Sequence, residues 1–449
     1  MYLESKELKN NLTQLTPIVG AGRAEGGSNR QVPQVNDSMG NEGNLDSQNW
    51  ISTTEEASQA ATEDGQSPLE LVERHLNGHY DFRFNQVSGR LEFKKKRQGS
   101  YEFLNDYKFN SIIRELMKRQ IKVSKDNLKS IIHSDFTPAY NPFLQYFNNL
   151  PTWDGTIDYI QQLAETVETE NDELWQRWFK KWIVAVVACA TSDSITNQTA
   201  IVFVGKQGAG KTTWMQRLLP HALKGYFYSG IPNLKDKDAK IRLAECLLIN
   251  LDEMGNLSRT NTERLKEIIT AFGIRERRAY GHFDEIMPRR ASFMGSVNNK
   301  QFLNDTTGNR RFLSVEVNEI EFNHSINMDN VYAQAKYLFE NGFQYWFDSD
   351  ETQEVIEHNT QFEVASYVEE LILKWLEPVN VEQQLPQHKW TASEIAQYLS
   401  GKSNLLVNDA NIQKVGKYMK KHNFTRVKNT GVYAYALKEK GESLQIVAA

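Results

Sequence analysis

The chain has 449 residues, of which 40% are hydrophobic and 24% charged, and its formal net charge is −5. These values are typical of a globular protein of about three domains, and so small a charge means that any surface for nucleic acid must be locally basic. The two cysteines lie in apolar runs, which excludes a disulfide framework and a cysteine-based zinc site. The most apolar run, residues 182–190, is far shorter than the roughly 20 residues that span a bilayer. We expect a soluble cytoplasmic protein without a signal peptide or a membrane partner.

Residues 1–66 are rich in Gly, Asn, Gln, Ser and Thr and contain few large apolar residues. They carry four basic and ten acidic residues, a net charge of −6, so the remainder of the chain is close to +1 (−5 minus −6). Such a composition cannot bury enough apolar surface to fold alone. We predict a disordered acidic leader that serves as a tether.

Residues 67–150 are predicted to form a small N-terminal α/β domain. The pattern indicates a helix, then a hairpin that turns at Ser88-Gly89, then two amphipathic helices, the second capped by Ser124. Pro151 and the Asp-Gly pair that follows it shortly afterwards mark the boundary with the next domain.

Residues 151–350 are predicted to form an α/β core that ends in a helical lid. The pattern is helical from about residue 156 to 190, and continuous apolar runs then predict strands at residues 200–205, 246–253 and 291–297. Apolar strands that alternate with helices indicate a parallel sheet buried on both faces. We therefore expect the fold class to be α/β.

The segment between the first of these strands and the next helix contains G-x-x-x-x-G-K-T, residues 205–212. Its glycines let the backbone curl so that amide groups face the phosphates of a nucleotide at a helix N-terminus. Lys211 would bridge the β- and γ-phosphates, and the hydroxyl of Thr212 would hold Mg²⁺. The motif therefore predicts ATP and Mg²⁺ as cofactors. The residues expected to contact the nucleotide are Gly205, Gln207, Gly208, Ala209, Gly210, Lys211, Thr212 and Thr213.

Two further strands are predicted to end in polar residues of the same site. Asp252 follows an apolar strand and is placed to hold the magnesium, directly or through water. Its neighbour Glu253 is the candidate general base that polarises a water for attack on the γ-phosphate. Asn298 ends the third strand, where ring-forming P-loop ATPases carry a polar residue that orients this water, and Asn299 is the alternative.

Arg310 and Arg311 follow within DTTGNRRFLSVEV, between a Gly-Asn turn and a run typical of a strand. A permanently charged guanidinium suits the charge that develops on a transferring phosphoryl group. We expect the pair beyond the catalytic edge of the sheet, where one arginine would reach the nucleotide of a neighbouring subunit in a ring. A solvated loop end is the alternative, and the sequence does not determine which arginine acts.

Four motifs follow one another between residues 205 and 312. They are the glycine-rich phosphate loop, the strand end with Asp252 and Glu253, the strand that ends at Asn298, and TGNRRF. This order resembles the superfamily 3 helicases of viruses, phages and plasmids, which are ring-forming members of the AAA+ class. It more closely resembles the virulence-associated protein E family of phage and mobile-element replication proteins. The resemblance covers about residues 100–350 and rests on LPTWDGTIDYI, VGKQGAGKTTWMQRLLP, NLDEM, RLKEIIT, RRAYGHFDEIMPR, GSVNN and DTTGNRRF. It implies a P-loop core of the AAA+ type and a ring of six subunits, and it leaves open a separate primase as a partner.

The resemblance also implies a role for RERRAYGHFDEI, residues 275–286, which predicts two strands around a turn. Superfamily 3 rings place such a hairpin in the central channel, where it grips single-stranded DNA. A solvated hairpin without DNA is the alternative, because Asp284 and Glu285 dilute its positive charge. The residues expected to contact phosphates or bases are Lys266, Arg275, Arg277, Arg278, His282, and either Tyr280 or Phe283.

A helical linker, residues 351–385, leads to a predicted winged-helix domain, residues 386–449. Thr391 and Glu394 form a capping box for its first helix, and a second helix, residues 409–422, precedes a hairpin. Helix, helix, hairpin is the winged-helix order, with the second helix as the reader of duplex DNA. Docking of a protein is the alternative. The basic residues expected to contact DNA are Lys414, Lys417, Lys421, Arg426 and Lys428.

Together these features predict an ATP-driven DNA helicase or translocase that works as a ring in the replication of a mobile element. One subunit would supply the phosphate loop and its neighbour the arginine, and hydrolysis would move the hairpin along the channel. An initiator or loader that binds DNA under ATP control without translocation is the first alternative. A regulatory or defence ATPase that docks a protein is the second. A small-molecule P-loop kinase would need neither the arginine nor a basic winged helix.

Overall fold

The structure is a computed structural model, and it describes residues 66–97, 99–232, 236–256, 259–278, 281, 283–304, 308–429 and 431–440. Apart from Gln66, the predicted disordered leader lies outside these residues. The described chain is a mixed α/β protein with several sheets, as the sequence predicts in outline. No helix in this part of the chain has both the length and the apolar character that crossing a membrane requires.

The N-terminal region is a small α/β unit. Its elements are α1 (Pro68–His79), β1 (Tyr80–Asn85), β2 (Arg90–Lys95), β3 (Glu102–Phe103), α2 (Asp106–Lys118), α3 (Lys125–Ile132) and β4 (Ala139–Tyr140). The strands form one sheet in the order β3-β2-β1-β4. The predicted hairpin pairs Tyr80 with Lys95 and turns at Gly89, whose φ of 64° suits glycine. The predicted cap is also present, because the Ser124 side chain accepts from the amide of Asn127.

The central region is built on one large sheet. Its strands are β5 (Val167–Thr169), β6 (Ala200–Val204), β7 (Phe227–Ser229), β8 (Leu248–Leu251), β9 (Gly273–Glu276), β10 (Glu285–Pro288), β11 (Ser292–Val297) and β12 (Phe312–Ile320). Strands β9 and β10 form a separate hairpin, and the other six form a sheet in the order β5-β12-β6-β11-β8-β7. The strands from β12 to β7 run parallel, and β5 pairs antiparallel at the edge.

Helices cover both faces of this sheet, as predicted. They are α4 (Pro142–Asn148), α5 (Tyr159–Ala164), α6 (Asp172–Thr191), α7 (Lys211–Arg217), α8 (Lys237–Glu245), α9 (Arg259–Thr270), α10 (Met328–Glu340) and α11 (Ser349–Asn359). Every residue of β6, β8 and β11 is buried. Along β6, Ile201 and Phe203 join one apolar cluster and Val202 and Val204 the other, because alternate side chains of a strand point to opposite faces.

The continuous helical pattern predicted between residues 156 and 190 is wrong. Strand β5 separates α5 from α6, and Val167 pairs with Ile320 at the far end of β12. Val167 and Thr169 are buried, with the exposed Glu168 between them. This alternation is too short to be distinguished from a helical pattern, and its pairing partner lies about 150 residues further along the chain.

The C-terminal region has its own apolar core. Its elements are α12 (Tyr367–Trp375), β13 (Leu376–Pro378), β14 (His388–Trp390), α13 (Ala392–Lys402), α14 (Asp409–Lys421), β15 (Arg426–Asn429) and β16 (Val432–Glu439). Strands β13, β14 and β15 all pair antiparallel with β16. The predicted capping box of Thr391 and Glu394 is present. Helix α12, inside the predicted linker, packs Ile372 into the same cluster as Ile395 of α13 and Met419 of α14.

Candidate functional site

The glycine-rich loop connects the carboxyl end of β6 to the start of α7. Gly208 and Gly210 have φ values of 82° and 83°, a left-handed conformation that glycine adopts without a steric penalty. A Cβ at Gly210 would also clash with the Phe322 ring. Gln207 and Gly208 are exposed, Ala209, Gly210 and Thr212 are partly buried, and Thr213 is exposed. The predicted nucleotide-contacting residues therefore lie on this loop and on the first turn of α7, at the edge of the sheet.

Lys211 is folded back over this loop. Its ammonium Nζ donates to the carbonyl oxygens of Gly205 and Lys206, at 2.7 Å each, and lies 3.4 Å from Oδ1 of Asn298. Burial lowers the pKa of Lys211, and the carboxylate of Asp252 opposes this shift. A phosphate oxygen bound at Nζ would take the place of the two carbonyl contacts. The structure thus brings Lys211, Asn298 and Asp252 together.

Asp252 lies at the same edge of the sheet as the phosphate loop, because β6, β11 and β8 are parallel. Val204 of β6 pairs with Val297 of β11, so the segments that follow these two strands are neighbours. The Ser296 hydroxyl donates to Oδ1 of Asp252 at 2.8 Å and fixes that carboxylate. Sequence reasoning missed Ser296. The available signal was a polar residue near the end of β11, the strand next to β8, which Asp252 follows.

Arg310 and Arg311 lie at the opposite edge of the sheet from the phosphate loop. Strand β12 is parallel to β6, and its first residue, Phe312, pairs with Ala200 at the start of β6. The short turn that carries the two arginines, residues 308–311, is called the arginine turn below. Four residues of strand, about 13 Å, therefore separate it from the level of the phosphate loop. The expectation that the pair lies beyond the catalytic edge is wrong for its own chain. All strands of a parallel sheet begin at one edge, here called the amino edge. A residue that directly precedes such a strand therefore lies at this edge.

The arginine turn is held by side chains from elsewhere in the chain. The Asn359 amide donates to the backbone oxygens of Asn309 and Phe312, at 2.8 and 2.7 Å. The Asn309 amide donates to Oε1 of Glu363 at 3.3 Å. Sequence reasoning missed Asn359 and Glu363, because an acid or amide fifty residues away gives no local signal.

The two arginines and Lys266 differ in exposure. Arg310 is exposed and Arg311 is partly buried, and burial, with a smaller effect of Arg310, lowers the pKa of Arg311. Lys266 is only 7% exposed. A Cβ at Gly308 would clash with the Arg311 guanidinium and touch the Lys266 side chain, so these two cations lie close together. Lys266 therefore does not lie on an open surface as expected of a DNA contact, because α9 packs this face of the helix inward.

The predicted DNA-gripping hairpin is present as β9 and β10, with Arg275 paired to Ile286. Arg275 and Arg277 are exposed. Phe283 is 82% exposed, which leaves an aromatic face available for stacking. Tyr280 and His282 lie outside the described residues.

Arg278 does not have the free guanidinium expected of a DNA contact. It lies 3.1 Å from Glu245 and 3.1 Å from Glu285, and it donates to the backbone oxygen of Val87 at 3.0 Å. A Cβ at Gly89 would clash with the Arg278 side chain. Burial raises the pKa of Glu245, and Arg278 opposes this shift. Arg278 thus joins the β9–β10 hairpin to the β1–β2 turn.

We expect Arg278→Ala to lower the free energy of unfolding by about 1–3 kcal/mol, because it leaves the half-buried Glu245 without its cation. Arg277→Ala, one residue away and exposed, should change it by less than about 0.5 kcal/mol. Urea unfolding of the full chain measures both. Equal stability of the two variants would contradict the bridging role of Arg278.

The C-terminal region presents an exposed basic surface, although one predicted member does not belong to it. The predicted DNA-contacting residues that are exposed here are Lys414, Lys417, Arg426 and Lys428. The Arg426 guanidinium lies 3.9 Å from the ring centroid of Tyr433, which is 53% exposed and was missed by sequence reasoning. Lys421 instead lies 3.3 Å from Glu363 and 3.0 Å from Glu369. It points towards α12 and the arginine turn, because it ends α14 on the side that faces these acids.

Lys421→Ala should therefore destabilise the chain by about 1–3 kcal/mol, because two largely buried carboxylates lose a partner. Lys414→Ala, on the same helix, should leave stability within about 0.5 kcal/mol and reduce the slope of log K against log salt for DNA binding by about 0.9. Thermal unfolding and a salt titration of DNA affinity separate these effects. A lowered salt slope for Lys421→Ala at unchanged stability would contradict this assignment.

These features define a class, namely an α/β protein with a candidate phosphate-binding loop and an acidic strand end at the carboxyl edge of a parallel sheet. Residues 147–364, just under half of the chain, match the family model of the virulence-associated protein E-like domain. This segment is therefore a virulence-associated protein E-like domain, and the family predicted from the sequence is confirmed for these residues.

The comparisons with solved structures and with curated proteins give weaker evidence than the match to the family model. Two apo structures of the NrS-1 C-terminal region, residues 305–718 of that protein, are similar at 15% and 16% identity. They cover 83% of this chain and 99% of their own, with TM-scores of 0.47 and 0.46. Scores at this level do not establish a common fold. No curated protein matches the sequence.

Proposed function

We propose that the chain is an ATP-driven DNA translocase or helicase of a phage or mobile-element replication system, and that it acts as a ring. The observation that carries this proposal is the position of Arg310 and Arg311. They lie at the amino edge of the sheet, about 13 Å of strand away from the level of their own phosphate loop. If these arginines act on a nucleotide, it belongs to a neighbouring subunit.

The residues at the carboxyl edge fit a nucleotide with its magnesium ion. The Thr212 hydroxyl and the Asp252 carboxylate are oxygen donors of the kind that Mg²⁺ prefers, and Ser296 orients one of them. Bound there, Mg²⁺ would neutralise charge on the β- and γ-phosphates. Lys211 would hold the same phosphates, Asn298 would position the attacking water, and Glu253 would accept its proton.

DNA would contact two surfaces. The β9–β10 hairpin carries exposed Arg275 and Arg277 and the exposed ring of Phe283, a combination suited to gripping a single strand. In the C-terminal region, α13, α14 and the β15–β16 hairpin follow the winged-helix order, with the exposed lysines of α14 as the DNA reader. We propose an AAA+ type core, six subunits and a cytoplasmic location, with a separate primase as a partner.

The first test measures ATP hydrolysis per subunit against protein concentration, with and without single-stranded DNA. A ring translocase should show a rate that rises with concentration, rises again with DNA, and is accompanied by strand displacement on a forked duplex. Binding of DNA that depends on ATP without strand displacement would instead favour the initiator or loader. A rate independent of both concentration and DNA would contradict the ring.

A further inference from the structure

Three side chains that commonly bind transition metals meet between α1 and α2, away from the nucleotide site. His75 and His79 are one turn apart on α1, and Glu115 lies on α2. Each offers one ligand atom, and these atoms all lie within 4.8 Å of one another. Nε2 of His75 is 3.4 Å from Oε1 of Glu115. Ligands at about 2.0–2.2 Å from a tetrahedral Zn²⁺ are roughly 3.3–3.6 Å apart, so this pair already has the required spacing.

Nε2 of both His75 and His79 can bind a cation. Nδ1 of His79 lies 2.8 Å from the backbone oxygen of His75, which only accepts, so the proton of a neutral ring is on Nδ1 and the lone pair on Nε2. His75 is 6% exposed, and its Nε2 makes no hydrogen bond beyond the 3.4 Å contact with Oε1 of Glu115. A buried ring nitrogen held only by so long a contact is poorly satisfied, and a metal ion between it and the carboxylate would satisfy both groups.

The surroundings supply the outer contacts that metal sites use. The Tyr80 hydroxyl donates to Oε2 of Glu115 at 2.6 Å, which orients the carboxylate and leaves Oε1 towards the histidines. Nη2 of Arg119 lies 3.2 Å from Nε2 of His79. A cationic donor thus already occupies the position where a metal ion would bind. Arg119 is exposed, so its long side chain can turn out to solvent.

We propose that His75, His79 and Glu115 bind one Zn²⁺ ion that links α1 to α2. Two imidazoles and one carboxylate favour zinc over Mg²⁺ or Ca²⁺, which prefer oxygen ligands alone. Water completes the fourth position. The ion fixes the packing of the N-terminal unit, whose β1–β2 turn contacts the DNA-gripping hairpin through Arg278.

The experiment uses the full chain without a polyhistidine tag, stripped with a chelator and kept in excess Mg²⁺. Zn²⁺ is titrated calorimetrically, and Co²⁺ serves as a visible-absorption probe of tetrahedral binding. We expect one site per chain, weakened roughly 100-fold or more in His79→Ala. His133→Ala, an exposed histidine of the same unit, should bind as the unchanged chain does. Arg119→Ala should bind more tightly, by about 10-fold, because it removes the competing cation.

Circular dichroism shows whether His79→Ala folds, and Glu115→Gln, which keeps size and shape, provides a second loss-of-site variant. Loss of the site in either folded variant, with retention in His133→Ala, supports the proposal. Absence of micromolar binding, or equal affinity in the unchanged chain and both site variants, overturns it. Neither readout depends on ATP hydrolysis.

Discussion

The double variant Arg310→Ala/Arg311→Ala is expected to lose ATP hydrolysis by at least about 10³-fold while it still binds nucleotide. The arginines lie at the amino edge of the sheet, whereas the loop, Lys211 and Asp252 lie at the carboxyl edge, so binding by the same chain does not need them. The turnover number and the Kd for a fluorescent ATP analogue are the measurements. Arg74→Ala, an exposed arginine on α1, is the matched control.

The single variants Arg310→Ala and Arg311→Ala should have different effects on turnover and on stability. Arg310 is exposed and free to reach across a subunit boundary, so Arg310→Ala should account for most of the loss in turnover at unchanged stability. Arg311 is partly buried beside Lys266 and lacks a partner for its Nε, so Arg311→Ala should also change the thermal unfolding temperature. The opposite ranking in turnover would assign the catalytic role to Arg311.

Mixing two inactive chains tests whether the arginines act between subunits. A Lys211→Ala chain lacks the phosphate lysine but keeps the arginine turn, and the double arginine variant has the reverse defect. Where the two alternate, one intact loop faces one intact arginine turn, so part of the activity should return. No recovery over a range of mixing ratios, with mixed assembly verified, would mean that the arginines act within their own chain or not on ATP at all.

The parts of the fold that the sequence predicts are those with local signals. The turn at Gly89 needs a positive φ at one residue, and the caps of Ser124 and Thr391 involve partners three residues away. Strands β6, β8 and β11 are continuous apolar runs because both of their faces are buried. Such features depend on a few neighbouring residues, so composition and spacing are sufficient to predict them.

The parts that were missed depend on distant residues. Strand β5 is identified by its pairing with β12, and the edge at which Arg310 lies follows from the direction of β12 in the sheet. The charges show the same limitation. Arg278 and Lys421 look like free cations in the sequence, yet Glu245 and Glu369 pair with them from 33 and 52 residues away. A count of basic residues therefore overstates the basic surface available to DNA.

Glu253→Gln is expected to reduce ATP hydrolysis by about 10²–10⁴-fold, with nucleotide binding retained. Glu253 lies two residues after the end of β8 and is exposed. It is at the carboxyl edge of the sheet, where an attacking water would approach. Glutamine keeps the size of the side chain and removes only its ability to accept a proton. The measurement is single-turnover hydrolysis at saturating ATP, with Glu263→Gln, another exposed glutamate, as the control.

Backbone conformation gives this residue a second, independent test. Glu253 has a φ of 54°, a left-handed conformation that costs a side chain other than glycine about 1 kcal/mol or more. Glu253→Gly should therefore be as stable as the unchanged chain or more stable by about 1 kcal/mol, and equally inactive. A strained conformation kept at the expense of stability is consistent with a functional carboxylate. Glu253→Gln hydrolysing ATP within threefold of the unchanged chain would remove Glu253 from the mechanism, and the base would have to be sought elsewhere along the carboxyl edge.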